Sequence, residues 1–338
     1  MPTVNEELRD AYILRSVLLE QLKSNEANKV KRAYKSILDD IIKRINENEA
    51  ISVTNVAKII NEIKDLVAPN LNLTTDYQDI ALHEQDWIIN TTNGIIGGAL
   101  FKKIQNENII KNIADAELFQ GHSLLNTFTM FNDKLKFELD GEIKQSVLQG
   151  ETISQVKQRI KDRFGIVGSQ ADTIARTSVH TLVNQVREKV YKENEEVIKG
   201  YQHHSTLDSR TTLLCASRDG MTWDINYKPT NGNKFKFIRP PLHPNCRSIM
   251  LTILKSWEDL GMSDLPNVPE GTRSSMDGSV PASMTFDKWI ANKSDSFIEK
   301  YLGEGRYNLY KDGNITLKDL VTSNGKTLTL EELKAKYL

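Results

Sequence analysis

Cysteine is nearly missing from this chain, with 2 in 338 residues. So few thiols cannot staple a protein of this length, and a reducing compartment disfavours a required disulfide between them. A surplus of charge is missing too: 44 basic residues stand against 45 acidic ones, for a formal net charge of -1. No global field draws the chain onto nucleic acid or anionic lipid, so any contact with DNA must be local. No apolar run reaches the ~18 residues of a membrane-spanning helix, and no membrane partner is expected. The opening Met1-Pro2-Thr3-Val4-Asn5-Glu6-Glu7 is acidic where a targeting peptide would be basic, which predicts synthesis and folding in a cytoplasm. Gly94-Ile95-Ile96-Gly97-Gly98 lacks the Gly-Lys-Ser/Thr ending and the Gly-x-Gly-x-x-Gly spacing of phosphate-binding loops. It reads as close helix packing or a hinge.

What is present is enough for more than one core. Single cores stop growing near roughly 250–300 residues, so two or three units are expected. With 39% hydrophobic and 26% charged residues, most of the chain should fold. The expected class is α+β, predominantly α-helical: an N-terminal helical region over 1–140, then a small α+β module over 141–258 with a short antiparallel sheet. A Pro/Gly/Ser-rich linker is expected over 259–283, and a helical tail over 284–338.

The helical reading rests on periodicity. Ala27, Val30, Tyr34, Ile37, Ile41 and Ile45 recur at three- and four-residue steps, the signature of one apolar face. A second helix starts at Thr54 as cap, carries Val56, Ile59, Ile60, Ile63 and Val67, ends at Pro69, and should pack on the first. A third is expected over 169–196, capped by Ser169, with the stripe Val179, Leu182, Val183, Val186 and Val190. Its other face aligns Arg176, His180, Asn184 and Arg187. That row is either a solvated surface or a buried polar network in which Arg176 neutralises Asp208 or Asp219. Beyond Tyr201 the pattern changes to short β-forming pieces at 221–223, 235–238 and 248–253. Residues 263–283 carry Pro266, Pro269, Gly271, Gly278 and Pro281 without apolar period, hence the linker.

Both cysteines lie in motifs, Asp208-Ser-Arg210-Thr211-Thr212-Leu-Leu-Cys215 and Pro240-Pro241-Leu-His243-Pro244-Asn245-Cys246-Arg247. Cys215, His243 and Cys246 supply two soft thiolates and an imidazole, a zinc-type donor set. A closed site wants a fourth ligand, for which His203, His204 and Asp208 are the candidates. The bland alternative makes both cysteines small core fillers and lets His243 hydrogen-bond a backbone carbonyl. No cofactor is required by the sequence; zinc is the metal that this set would take. A metal-dependent nuclease would instead gather His203, His204, Asp208, Asp219 and His243 around a divalent ion near a phosphate. Arg210, Arg218 and Arg247 are the candidate phosphate contacts. The basic run Lys157 to Arg163 is diluted by Asp162 and reads as ordinary helix surface.

Three blocks in order resemble the phage head morphogenesis family named after protein F of phage Mu, whose members are minor head proteins. They are Ile174-Ala-Arg176-Thr177 with Asn184; Tyr201 leading to Asp208-x-Arg210-Thr211, Cys215 and Asp219-Gly220; and the 240–247 motif. The resemblance covers about 140 to 255, and a tail with Trp289, Leu302-Gly303, Arg306 and Leu328 to Leu333 is similar to the ending many members share. It implies a non-enzymatic virion protein, assembled in a host bacterial cytoplasm and associated with the portal vertex. Head morphogenesis and DNA packaging or ejection would be its tasks. The portal protein, the major capsid or scaffolding protein, and double-stranded DNA are the implied partners. Arg176, Thr177, Asn184, Asp208, Arg210, Thr211 and Asp219 would then form an architectural network. Many members carry another cysteine where this chain has Thr212, a departure that removes one zinc ligand. The roughly fifty residues after the linker are too few for a further enzymatic domain.

Overall fold

The computed structural model describes residues 4–48, 50–67, 73–256, 272–281 and 283–338. Helices α1 (Val4–Asn46), α2 (Val56–Leu66), α3 (Leu73–Ile96) and α4 (Glu107–Lys111) lead to a small hairpin, β1 (Glu117–Phe119) and β2 (His122–Ser123). Helices α5 (Leu124–Leu148) and α6 (Ile153–Glu193) follow. Next come β3 (Ile198–His204), the single-turn α7 (Leu213–Ala216), β4 (Thr222–Asp224), β5 (Pro229–Thr230) and β6 (Ile249–Leu254). A second hairpin, β7 (Thr272–Ser275) and β8 (Gly278–Pro281), precedes α8 (Phe286–Ala291), α9 (Asp295–Leu302), α10 (Glu304–Lys311) and α11 (Leu330–Tyr337). The chain is thus a predominantly helical α+β protein with short antiparallel sheets, as expected.

Two units emerge, and neither is a single stretch of chain: one takes Met1–Glu20, His83–Asn106 and Val183–Leu338, the other Gln21–Leu82 and Glu107–Leu182. Helices α1, α3 and α6 each give residues to both. The boundary expected at 140/141 falls inside α5.

The mostly helical unit, whose one described hairpin is β1–β2, follows from its periodicities. The α1 stripe from Ala27 to Ile45 is buried throughout, as are Ile59, Ile60 and Ile63 of α2. Each buried Ile contributes roughly 1.5–3 kcal/mol relative to exposure. Around this core Tyr34 donates its hydroxyl to Asn132 (2.6 Å), Tyr77 to the carbonyl of Ala175 (3.3 Å), and Lys64 pairs with Asp140. Three local expectations are corrected. Asn55, not Thr54, stands at the start of α2, without a side-chain cap. Ser169 lies inside α6, because the register from Val156, Ile160, Phe164 and Val167 runs unbroken into Val179 and Val183. Gly97 terminates α3 in the left-handed region (φ +75) with open space around it, so it serves as a helix stop and not as a packing contact. Pro69 lies outside the described residues.

The other unit carries a four-stranded antiparallel sheet in the order β5-β4-β3-β6, with β3 pairing β4 on one side and β6 on the other. Residues 235–238, expected as a strand, form no strand; the indole of Trp223 instead donates to the carbonyl of Phe235 (2.8 Å). Asn5 of α1 clasps both backbone groups of Leu254 at the end of β6. The expected linker is corrected in its described part, since 272–281 pair as the β7–β8 hairpin with Arg273 buried. Residues 257–271, with Pro266, Pro269 and Gly271, lie outside the described residues. In the tail, Phe286, Trp289 and Ile290 are buried, and Thr329 and Glu332 complete a capping box.

Candidate functional site

The site is built on the two segments that carry the cysteines. After β3, the Thr211 hydroxyl donates to the carbonyl of Thr206 (2.6 Å) and also to Asp208 (3.2 Å). Thr212 caps α7 by accepting from the backbone N–H of Cys215 (3.4 Å). A threonine here is thus a helix start signal in its own right.

The second segment approaches through a cis Pro240–Pro241 bond and turns sharply at His243-Pro244-Asn245-Cys246. The Cys246 N–H donates to the His243 carbonyl (3.2 Å), and Asn245 adopts φ 58. Proline in the second turn position and asparagine in the third satisfy this geometry, since proline presets its own φ and asparagine tolerates the left-handed region. The turn therefore presents His243 and Cys246 together.

Their ligating atoms meet Cys215. Its Sγ lies 3.3 Å from His243 Nε2 and 3.8 Å from Cys246 Sγ, and all three ligating atoms lie within 4.8 Å of one another. Neither cysteine is in a disulfide among the described residues, and both are buried. His243 Nδ1 stands 2.8 Å from the carbonyl of Pro244, which can only accept. In the neutral ring the proton is therefore on Nδ1, and the Nε2 lone pair faces the sulfurs. The Cys246 sulfur, with burial behind it, pushes the Cys215 thiol far above its ordinary range. The same neighbour raises His243, against the effect of burial.

None of the expected fourth ligands joins this group among the described residues. Asp208 is gripped by Arg247, whose Nη1 and Nη2 donate to it at 2.6 and 2.7 Å. Burial raises its pKa, but Arg247 outweighs that and holds the carboxyl below its usual range. His203 and His204 are neighbours on β3 and so face opposite sides of the sheet. His203 is fully buried, neither ring nitrogen is hydrogen-bonded among the described residues, and burial takes its pKa down to about 4. Burial also lowers His204.

Asp219 anchors a second node. It accepts from the backbone N–H of Ser205 (2.6 Å) and of Phe286 (2.7 Å), and from Arg273 Nη1 (3.0 Å). Arg273 also donates to the carbonyls of Ser205 and Met284. Gly220 follows with φ +75, a conformation that costs glycine least.

The row on α6 divides. His180, Asn184 and Arg187 are buried, as is Thr177 beside them, so this part of the face is not a solvated surface. Arg187 forms a buried ion pair with Glu84 and lies over the rings of Tyr12 and Trp87. Arg176 does not neutralise Asp208 or Asp219: it is partly exposed and bonds Asp172 one turn back (2.8 Å). The loop carboxylates take Arg247 and Arg273 instead. Glu84 was legible in principle, since it keeps step with the buried Tyr77, Ile80, Ala81 and Ile88. Nothing in its polar surroundings marked Arg273.

The phosphate-contact expectation is corrected on two of three arginines. Arg218 is buried, donates to the carbonyl of Lys236 (2.9 Å) and lies over Phe235. Arg247 is occupied by Asp208, and Arg210 alone is widely exposed, at 80%. In the 157–163 run, Arg159 and Arg163 are held by Glu142, with Glu151 and Glu138 beside them. The five residues of the nuclease reading do not converge among the described residues.

Comparison with known families places these segments together. Residues 138–251 match the family model described as Phage Mu protein F like protein. This stretch is a Mu F-like region of a phage head protein family. The Mu F-like match contains all three sequence blocks, the cysteine–histidine trio, Asp208 with Arg247, and Asp219; Arg273 and Phe286 lie beyond its end. No curated protein and no solved structure matches the chain. Among the described residues no helix is long and apolar enough to cross a membrane.

Proposed function

We propose that this protein is a minor structural component of a phage head, located at the portal vertex and acting in head morphogenesis and in DNA packaging or ejection. The observation that carries this reading is the Mu F-like match over 138–251, in a family of structural head proteins. The motif side chains support it: Asp208, Arg247, Asp219 and Thr211 are spent on internal contacts that tie loops together. Residues committed in this way act as architecture and not as catalysts. The portal protein is the expected principal partner, with the major capsid or scaffolding protein next; double-stranded DNA is a passing contact.

Quantitative mass spectrometry of purified infectious particles, normalised to portal protein, tests the proposal. A low, reproducible copy number is expected. Its absence from the particles would reject a virion role. The nuclease alternative is tested separately by incubating pure protein and plasmid with magnesium, manganese or zinc; intact plasmid is expected.

A further inference from the structure

We infer that Cys215, His243 and Cys246 form a structural zinc site, with water completing the coordination. The spacing of the donors carries the inference. A tetrahedral ion with Zn–S of about 2.3 Å and Zn–N of about 2.0–2.1 Å holds two sulfurs about 3.8 Å apart and a sulfur and nitrogen about 3.5 Å apart. Here those separations are 3.8 Å and 3.3 Å. The sulfurs are too far apart for a disulfide, which needs about 2.05 Å.

The histidine is also prepared for a metal. Its Nδ1 hydrogen is engaged by the Pro244 carbonyl at 2.8 Å, the outer-shell arrangement that fixes the tautomer and ring orientation of zinc-bound imidazoles. The Pro244-Asn245 turn fixes His243 and Cys246, and the Thr212 cap fixes Cys215. On binding, the two thiols release their protons to water, and two thiolates and a neutral imidazole enter the shell. Their charges cancel those of the ion, leaving a neutral centre compatible with the burial of both cysteines.

No fourth His, Cys, Asp or Glu joins the trio among the described residues, which leaves the fourth position to water on the side of the half-buried His243 and the exposed Pro244 and Asn245. The ion joins Cys215 on α7 to a turn that begins 28 residues further on, and so fastens the two segments together. This inference does not depend on a virion role.

Full-length protein purified under reducing conditions without chelator should contain close to one zinc per chain by elemental mass spectrometry. Cys246→Ser and Cys215→Ser should each retain less than about one tenth of it. Because these variants are at risk of misfolding, wild-type protein stripped and refilled with cobalt(II) provides an independent reading. Intense thiolate-to-cobalt charge transfer with tetrahedral d–d bands is expected. Wild-type protein that takes up neither zinc nor cobalt with both thiols reduced would overturn the site and leave a thiol–imidazole cluster. Metal that remains in folded serine variants would also overturn it, as adventitious binding elsewhere.

Discussion

In the helical unit Arg176 pairs with Asp172 one turn away, and their side chains are 27% and 17% exposed. In the sheet-bearing unit Arg273 pairs with Asp219 across 54 residues, at 3% and 0%. The first pair decorates a helix that apolar burial already holds. The second closes a loop, a hairpin and the start of α8 around one carboxylate, where an unpaired charge would have no water to turn to. Arg187 with Glu84, 103 residues apart, belongs to the second kind. Distance along the chain and burial together decide how much such a pair matters.

The comparison can be broken by substitution. Arg273→Ala should cost about 3–5 kcal/mol in urea unfolding, because it strands the Asp219 carboxylate. A loss as small as that of an exposed pair would erase the contrast between the units. Acid should act next. His203 titrates near 6.5 unfolded and near about 4 folded, so the unfolded state takes up the proton first as pH falls. Stability should therefore drop between those two values, by roughly 3 kcal/mol, and His203→Gln should flatten this limb. Asp208 runs in a lower window: its folded pKa is depressed, so its contribution is present above the unfolded value near 3.8 and is lost as pH falls through the folded one.

Arg247→Ala should cost about 1.5–3 kcal/mol, since it removes charge-assisted hydrogen bonds from a part-buried partner. The smallest effect belongs to Arg176→Ala, at roughly 0.3–0.5 kcal/mol, the range of exposed pairs one helical turn apart. A cost rivalling that of Arg273→Ala would return Arg176 to the centre of the network.

The same contrast explains what could be read from the sequence. The stripes of α1, α2 and α6 repeat at helical steps, so Ile41 and Val186 were legible as core without knowledge of anything distant. The 243–246 turn was equally legible, because proline and asparagine encode its backbone locally. Arg273 was not, since a single arginine among serines and prolines carries no period and its partner is fixed only by tertiary folding. The identity of α6 misled in the same way: Arg176 lies on the expected face, but where that face is buried begins further along, at His180. The strand β3 went unmarked because Gly200, Gln202 and the two histidines dilute its β-forming signal, although both its neighbours hydrogen-bond to it.

The Asp219 node also bears on how this protein is made. Ser205 leaves the ribosome well before Arg273 and the Phe286 N–H that share its carboxylate partner. A nascent chain stopped at the end of the Mu F-like region would hold Asp219 without its countercharge. The recognisable region is therefore shorter than the piece that can fold, and a fragment cut at residue 251 should be born incomplete.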